Sequence, residues 1–121
     1  MQQLNLVYLE DSDIKYSISR FPDGEVQISL GEFSRKDLVQ VECRITNAEE
    51  FFILMQVLDI LDRHEVLYRV HIYYLMGMRM DRVMDFNRPY TLKIILNSLK
   101  NCNADTIEIL EPHSDVYYDF R

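Results

Sequence analysis

The sequence predicts an α/β domain with a mostly parallel sheet flanked by helices and an N-terminal β-hairpin. Three observations lead there. From Thr46 onward the apolar spacing alternates in the order helix, strand, helix, strand, the pattern of right-handed crossover units joining parallel strands. Upstream, Ile14, Tyr16 and Ile18, then Val26, Ile28 and Leu30, alternate with mostly polar residues on either side of Pro22-Asp23-Gly24, which predicts two strands joined by a tight turn. With 121 residues, 48% hydrophobic and 27% charged, the chain is expected to form one packed domain over residues 1–121.

Taken in order, Leu4 to Leu9 is short and apolar enough for a first strand, and the hairpin follows. Leu38 to Cys43 predicts the next strand. Thr46, with Glu49 three residues on, makes a capping-box pattern, and the helix it opens should run from Ala48 to about Arg63. Its apolar face is expected from Phe51, Phe52, Leu54, Met55, Leu58 and Leu61. Val66 to Tyr73 reads as a strand and Tyr74 to Arg88 as a loop, one long enough to suggest a functional role. Pro89 suits the first turn of a helix carrying Leu92, Ile95, Leu96 and Leu99, which Asn101-Cys102-Asn103 should stop. Thr106 to Leu110 is the last strand, ending at Glu111-Pro112-His113.

A formal charge of −7 argues against general binding to nucleic acid or to anionic membranes, both of which call for basic surface. No apolar run approaches the roughly 20 residues that span a bilayer. Met1-Gln2-Gln3 lacks the basic start of a secretory signal, and Cys43 and Cys102 have no metal-ligand spacing, so a reducing cytoplasm is expected. One stretch departs from the average: between Gly77 and Lys93 stand Arg79, Arg82, Arg88 and Lys93 against Asp81 and Asp85. A small polyanion could dock there.

Ligands of open parallel sheets bind outside the carboxyl ends of the strands. Arg79 and Arg82 leave the strand that ends near Tyr73, and His113 leaves the one that ends near Leu110; if those strands are adjacent, all three share a crevice. The planar fork of arginine suits phosphate oxygens, although paired surface charges are the plainer reading of such a loop. Common nucleophile, P-loop and dinucleotide motifs are absent, the six methionines suit adaptable packing, and His64 and His71 receive no function.

Phe21-Pro22-Asp23-Gly24-Glu25, Met76-Gly77-Met78-Arg79-Met80-Asp81-Arg82 and Glu111-Pro112-His113-Ser114-Asp115 together resemble the nucleotide-binding N-terminal domain of ribose-phosphate pyrophosphokinase, also called phosphoribosyl pyrophosphate synthetase. The resemblance runs in order from about Arg20 to Phe120. It implies a phosphoribosyltransferase-like, Rossmann-like fold and ATP as ligand with Mg²⁺. By it, Phe21, Asp23 and Glu25 would contact adenine in a neighbouring subunit's site, which implies a homo-oligomer. Arg79, Asp81 and Arg82 would form the phosphate loop, and His113 would touch both the nucleotide and Mg²⁺, with Asp115 orienting it. Met80 stands where the family usually has glutamine, and Pro112 alters the approach to His113. Only Asp11 to Arg20 lies where the family places a longer segment with a helix, so a hairpin is expected instead.

The family transfers the diphosphoryl group of ATP to ribose 5-phosphate, and its ribose-phosphate domain has no counterpart in these residues. No catalytic residue is therefore assigned, and this stretch alone is not expected to be an efficient synthetase. An alternative reading is a non-catalytic, synthetase-like subunit that joins or regulates a synthetase partner. A third is an unrelated flavodoxin-like domain.

Overall fold

The periodicities that mark strands and helices become two layers plus a ribbon. The computed structural model describes residues 1–77, 87–110 and 117–119. Among these, the elements run β1 (Gln2–Asn5), β2 (Tyr16–Arg20), β3 (Val26–Leu30), β4 (Val39–Ile45), α1 (Ala48–Arg63), β5 (Tyr68–Leu75), α2 (Thr91–Lys100), β6 (Thr106–Leu110) and β7 (Tyr117–Asp119). The main sheet has the order β1-β4-β5-β6-β7; its first four strands are parallel, and β7 runs antiparallel to β6. Strands β2 and β3 form a separate antiparallel hairpin.

Register explains the core. Leu4, Val41, Val70 and Ile107 stand in one row across four strands, each at most 1% exposed. The crossovers β4-α1-β5 and β5-α2-β6 step the same way across the sheet, so right-handed connections set both helices over one face. There α1 buries Ile53, Leu54, Val57, Leu58 and Leu61, and α2 buries Leu92, Ile95 and Leu99. One residue along, the row Asn5, Glu42, His71 and Glu108 points to the opposite face.

The ends of the elements differ from expectation for identifiable reasons. β1 stops at Asn5 instead of Leu9, because the Asn5 Oδ1 accepts from the backbone N–H of both Val7 and Tyr8 and turns the chain into a 3-10 turn at Leu9–Asp11. The cap of α1 is Asn47, one residue later than the Thr46 pattern implied. Its Oδ1 accepts from Glu50 N–H at 2.8 Å, and Glu50 reaches back to Thr46 N–H at 2.7 Å. Glu49 is thereby released to accept two hydrogen bonds from Arg20, at 3.0 and 2.8 Å. Phe52 is 52% exposed, so the inward stripe of α1 runs through Ile53 and Val57 instead. Pro89 lies before the helix it was expected to open, whose N-cap position is Tyr90.

The hairpin is fastened to α1. Val26 and Ile28 are buried beneath it, and Gln56 acts as a short mimic of a strand: its Nε2 donates to the Val26 carbonyl at 2.9 Å, and its Oε1 accepts from Ile28 N–H at 3.0 Å. Two edge groups that would otherwise need water are satisfied by one side chain.

Candidate functional site

Parallel strands gather their carboxyl ends at one edge, and the segments expected to bind a ligand start there. β5 and β6 are adjacent and parallel, with Arg69 beside Thr106 and Ile72 beside Ile109. The condition for a shared crevice is therefore met at the level of the strands. The side chains expected in it, Arg79, Asp81, Arg82 and His113, lie outside the described residues, as do Met80 and Pro112.

The hairpin tip is described, and it sits at the same edge, because Arg20 at its root bonds Glu49 in the first turn of α1, just after the carboxyl end of β4. Phe21 N–H donates to the Glu25 carbonyl at 2.8 Å and Gly24 N–H to the Phe21 carbonyl at 2.9 Å, closing a three-residue loop. Gly24 takes φ +91 with open space around it, so backbone conformation alone asks for glycine there. Asp23 is partly committed to the turn, since its Oδ1 accepts from Glu25 N–H at 3.0 Å. Phe21 is 43% exposed, and Asp23 and Glu25 are exposed. A ring and two carboxylates thus stand on a stiff loop facing solvent.

Where the chain leaves β5, Met76 N–H donates to the Ile45 carbonyl at 2.8 Å, and Gly77 adopts φ +88. A Cβ at Gly77 would meet the Leu92 backbone nitrogen at 3.5 Å, an ordinary contact, so the positive φ is what favours glycine here. The turn also brings Gly77 close to Thr91 and Leu92 in the first turn of α2. Helix starts favour anions through their free N–H groups.

A second feature of this edge was not anticipated. Asn5, Val7, Tyr8, Arg44, Tyr73 and Tyr74 line a cleft of about 340 Å³. The register between β4 and β5 shifts between Cys43 and Ile45, where Ile45 pairs with Leu75. A regular strand sends neighbouring side chains to opposite faces; the irregularity lets Tyr73 and Tyr74 both reach the cleft. Three segments far apart in sequence, β1 with the turn that follows it, β4 and β5, supply this lining, which no linear spacing reveals. A basic residue and a Tyr-Tyr pair at the ends of apolar strands were the available signals.

Neither cysteine suggests chemistry: both are buried, and burial, with Glu42 and Glu50 nearby, pushes the Cys43 thiol far up. Among the described residues no cluster of His, Cys, Asp or Glu could hold a metal ion. Among the described residues, no helix is long and apolar enough to cross a membrane.

The fold and this edge define a class: an α/β domain whose parallel sheet presents two adjacent strand ends and a hairpin tip at one edge. No protein-family model matches the chain. It is 31% identical over 103 residues to the ribose-phosphate pyrophosphokinase of Bacillus caldolyticus, a match covering 83% of this chain and 33% of that enzyme. The similarity is distant, and the chain spans about a third of the length of the curated relative it matches.

Proposed function

We propose that this chain is the ATP-binding, oligomer-forming N-terminal domain of a divergent ribose-phosphate pyrophosphokinase. The observation that carries the reading is the similarity to the Bacillus enzyme over 103 residues. The neighbouring positions of β5 and β6 support it, because they let the segments bearing Arg79 and His113 start side by side.

In this reading Arg79 and Arg82 bind the triphosphate through paired charge-assisted hydrogen bonds. Asp81 and His113 complete the phosphate end of the site. Phe21 offers its ring for stacking on adenine in the site of a neighbouring copy, while Asp23 and Glu25 accept from the exocyclic amine or the ribose. Mg²⁺ bound with the nucleotide would neutralise phosphate charge, with His113 near it. Diphosphoryl transfer to ribose 5-phosphate belongs to an assembly that also holds a ribose-phosphate site, since such transfer depends on positioning both partners.

Calorimetry with Mg-ATP tests this. Saturable binding is expected, weakened about tenfold or more by Arg79→Ala, the loss of one strong charged contact. No binding by the oligomer, or equal binding by the variant, overturns the reading.

A further inference from the structure

Helix α1 carries a second stripe beside the one that faces the sheet. Leu54, Val57, Leu58 and Leu61 are buried in the core, whereas Glu49, Ile53, Gln56, Ile60 and His64, spaced by three or four residues, fall along a neighbouring line. That line belongs to the hairpin. Ile53 borders the same cavity as Ile18, Gln56 holds the Val26 carbonyl and the Ile28 N–H, and Ile60 borders a groove with Ile28. At the far end the His64 ring meets Phe33 close to edge-on, with centroids 5.3 Å apart. Glu49 ends the line at the root of the hairpin tip.

The tip has a single polar attachment. Among the described residues, the hydrogen bonds that residues 20–25 make to anything outside the hairpin are the two from Arg20 to Glu49, Nε to Oε1 at 3.0 Å and Nη2 to Oε2 at 2.8 Å. The bonds of Phe21 with Glu25, of Gly24 with Phe21 and of Glu25 with Asp23 stay inside the loop and stiffen it. A stiff loop turns as a unit about its root, so whatever holds the root sets the direction of Phe21, Asp23 and Glu25. Two parallel bonds between planar groups fix an angle as well as a distance, which a lysine at position 20 would not do. Gln56, about 10 Å further along α1 by the rise of seven residues, holds β3 and serves as the pivot.

We propose that Arg20 and Glu49 are positioning residues that aim the hairpin tip, so that α1 sets where Phe21, Asp23 and Glu25 stand toward a nucleotide in a neighbouring copy. This role rests on the ATP site proposed above and adds to it two residues that touch no ligand. An exposed ion pair contributes little to stability, and here its effect is on orientation. Loosening the root lowers affinity by the fraction of time the tip still points correctly.

The whole chain carries the test, with two readouts. Amide order parameters at Phe21, Gly24 and Glu25 should match the rigid backbone of the sheet in the wild type, about 0.85, and fall toward about 0.6 in Arg20→Ala and in Arg20→Lys, which keeps the charge and loses the fork. Affinity for Mg-ATP, by calorimetry, should fall about three- to tenfold in the same variants. Their thermal midpoints should stay close to the wild type, because both side chains are exposed. The exchanged pair, Arg20→Glu with Glu49→Arg, should restore order and affinity together. A tip as ordered in Arg20→Ala as in the wild type overturns the proposal, and so does a loosened tip with wild-type affinity. If the wild type itself binds no Mg-ATP, the ATP reading falls, and the order parameters alone decide whether this pair aims the tip.

Discussion

The two faces of the parallel sheet hold opposite chemistry one residue apart. Along one row stand Leu4, Val41, Val70 and Ile107, covered by α1 and α2; along the next stand Asn5, Glu42, His71 and Glu108. The first face makes the fold. The second, at its carboxyl end, carries Arg44 and the tyrosines of the cleft. Because side chains alternate in a strand, a single step in sequence separates a residue that holds the domain together from one that can meet a ligand. Cores are sensitive to lost volume, whereas partly exposed side chains can change with little cost to the fold.

The sharpest way to break that contrast uses two neighbours on β5. Ile72 is fully buried, and Ile72→Ala should cost about 2–5 kcal/mol, read as a lowered denaturant midpoint. Tyr73, 40% exposed, should tolerate Tyr73→Ala within about 1 kcal/mol. Similar losses from both would show that the polar face is as structural as the apolar one.

A smaller effect is expected where the hairpin meets α1. Gln56→Ala leaves the Val26 carbonyl and Ile28 N–H without their partner, at a cost of about 1–3 kcal/mol. Hydrogen exchange should quicken at Ile28 while Val70, in the sheet, stays protected; equal acceleration at both would mean that the hairpin and the sheet open together.

The smallest effect concerns Arg20 and Glu49. The hydrogen bond from Arg20, helped by its charge, holds the Glu49 carboxyl below its ordinary range. A carboxylate with a lowered pKa stabilises the fold above its unfolded-state pKa, and that contribution fades as pH falls through the folded value. Both side chains are exposed, so the effect is modest and weakened by salt. The difference in thermal midpoint between wild type and Glu49→Gln should shrink as the solution is acidified. A difference independent of pH would remove the ion pair from the account.

The sequence made some of this architecture plain and concealed other parts for physical reasons. α1 at Ala48–Arg63 and β6 at Thr106–Leu110 follow directly from apolar spacing, and the Pro-Asp-Gly turn was unmistakable. Thr46/Glu49 and Asn47/Glu50 both fit a capping pattern. Arg20, 29 positions from Glu49, engages that carboxylate, a contact invisible to local reasoning. Phe52 is as hydrophobic as Phe51 but turns outward, because the helix has more apolar residues than one stripe can bury. The hairpin tip could be read because its residues are contiguous. The cleft could not, since the order β1-β4-β5 brings together residues that are about 36 positions apart from Tyr8 to Arg44, and about 29 more to Tyr73. The register shift that admits both Tyr73 and Tyr74 has no local signature.

The clamp formed by Gln56 also bears on how this protein behaves in a crowded solution. A two-stranded ribbon has open rims, each able to recruit a strand from another molecule and grow. By occupying the Val26 carbonyl and the Ile28 N–H, Gln56 takes two of the atoms an incoming strand would need along the outer rim of β3. A side chain that fastens the hairpin to its own helix thus also closes a route to aggregation.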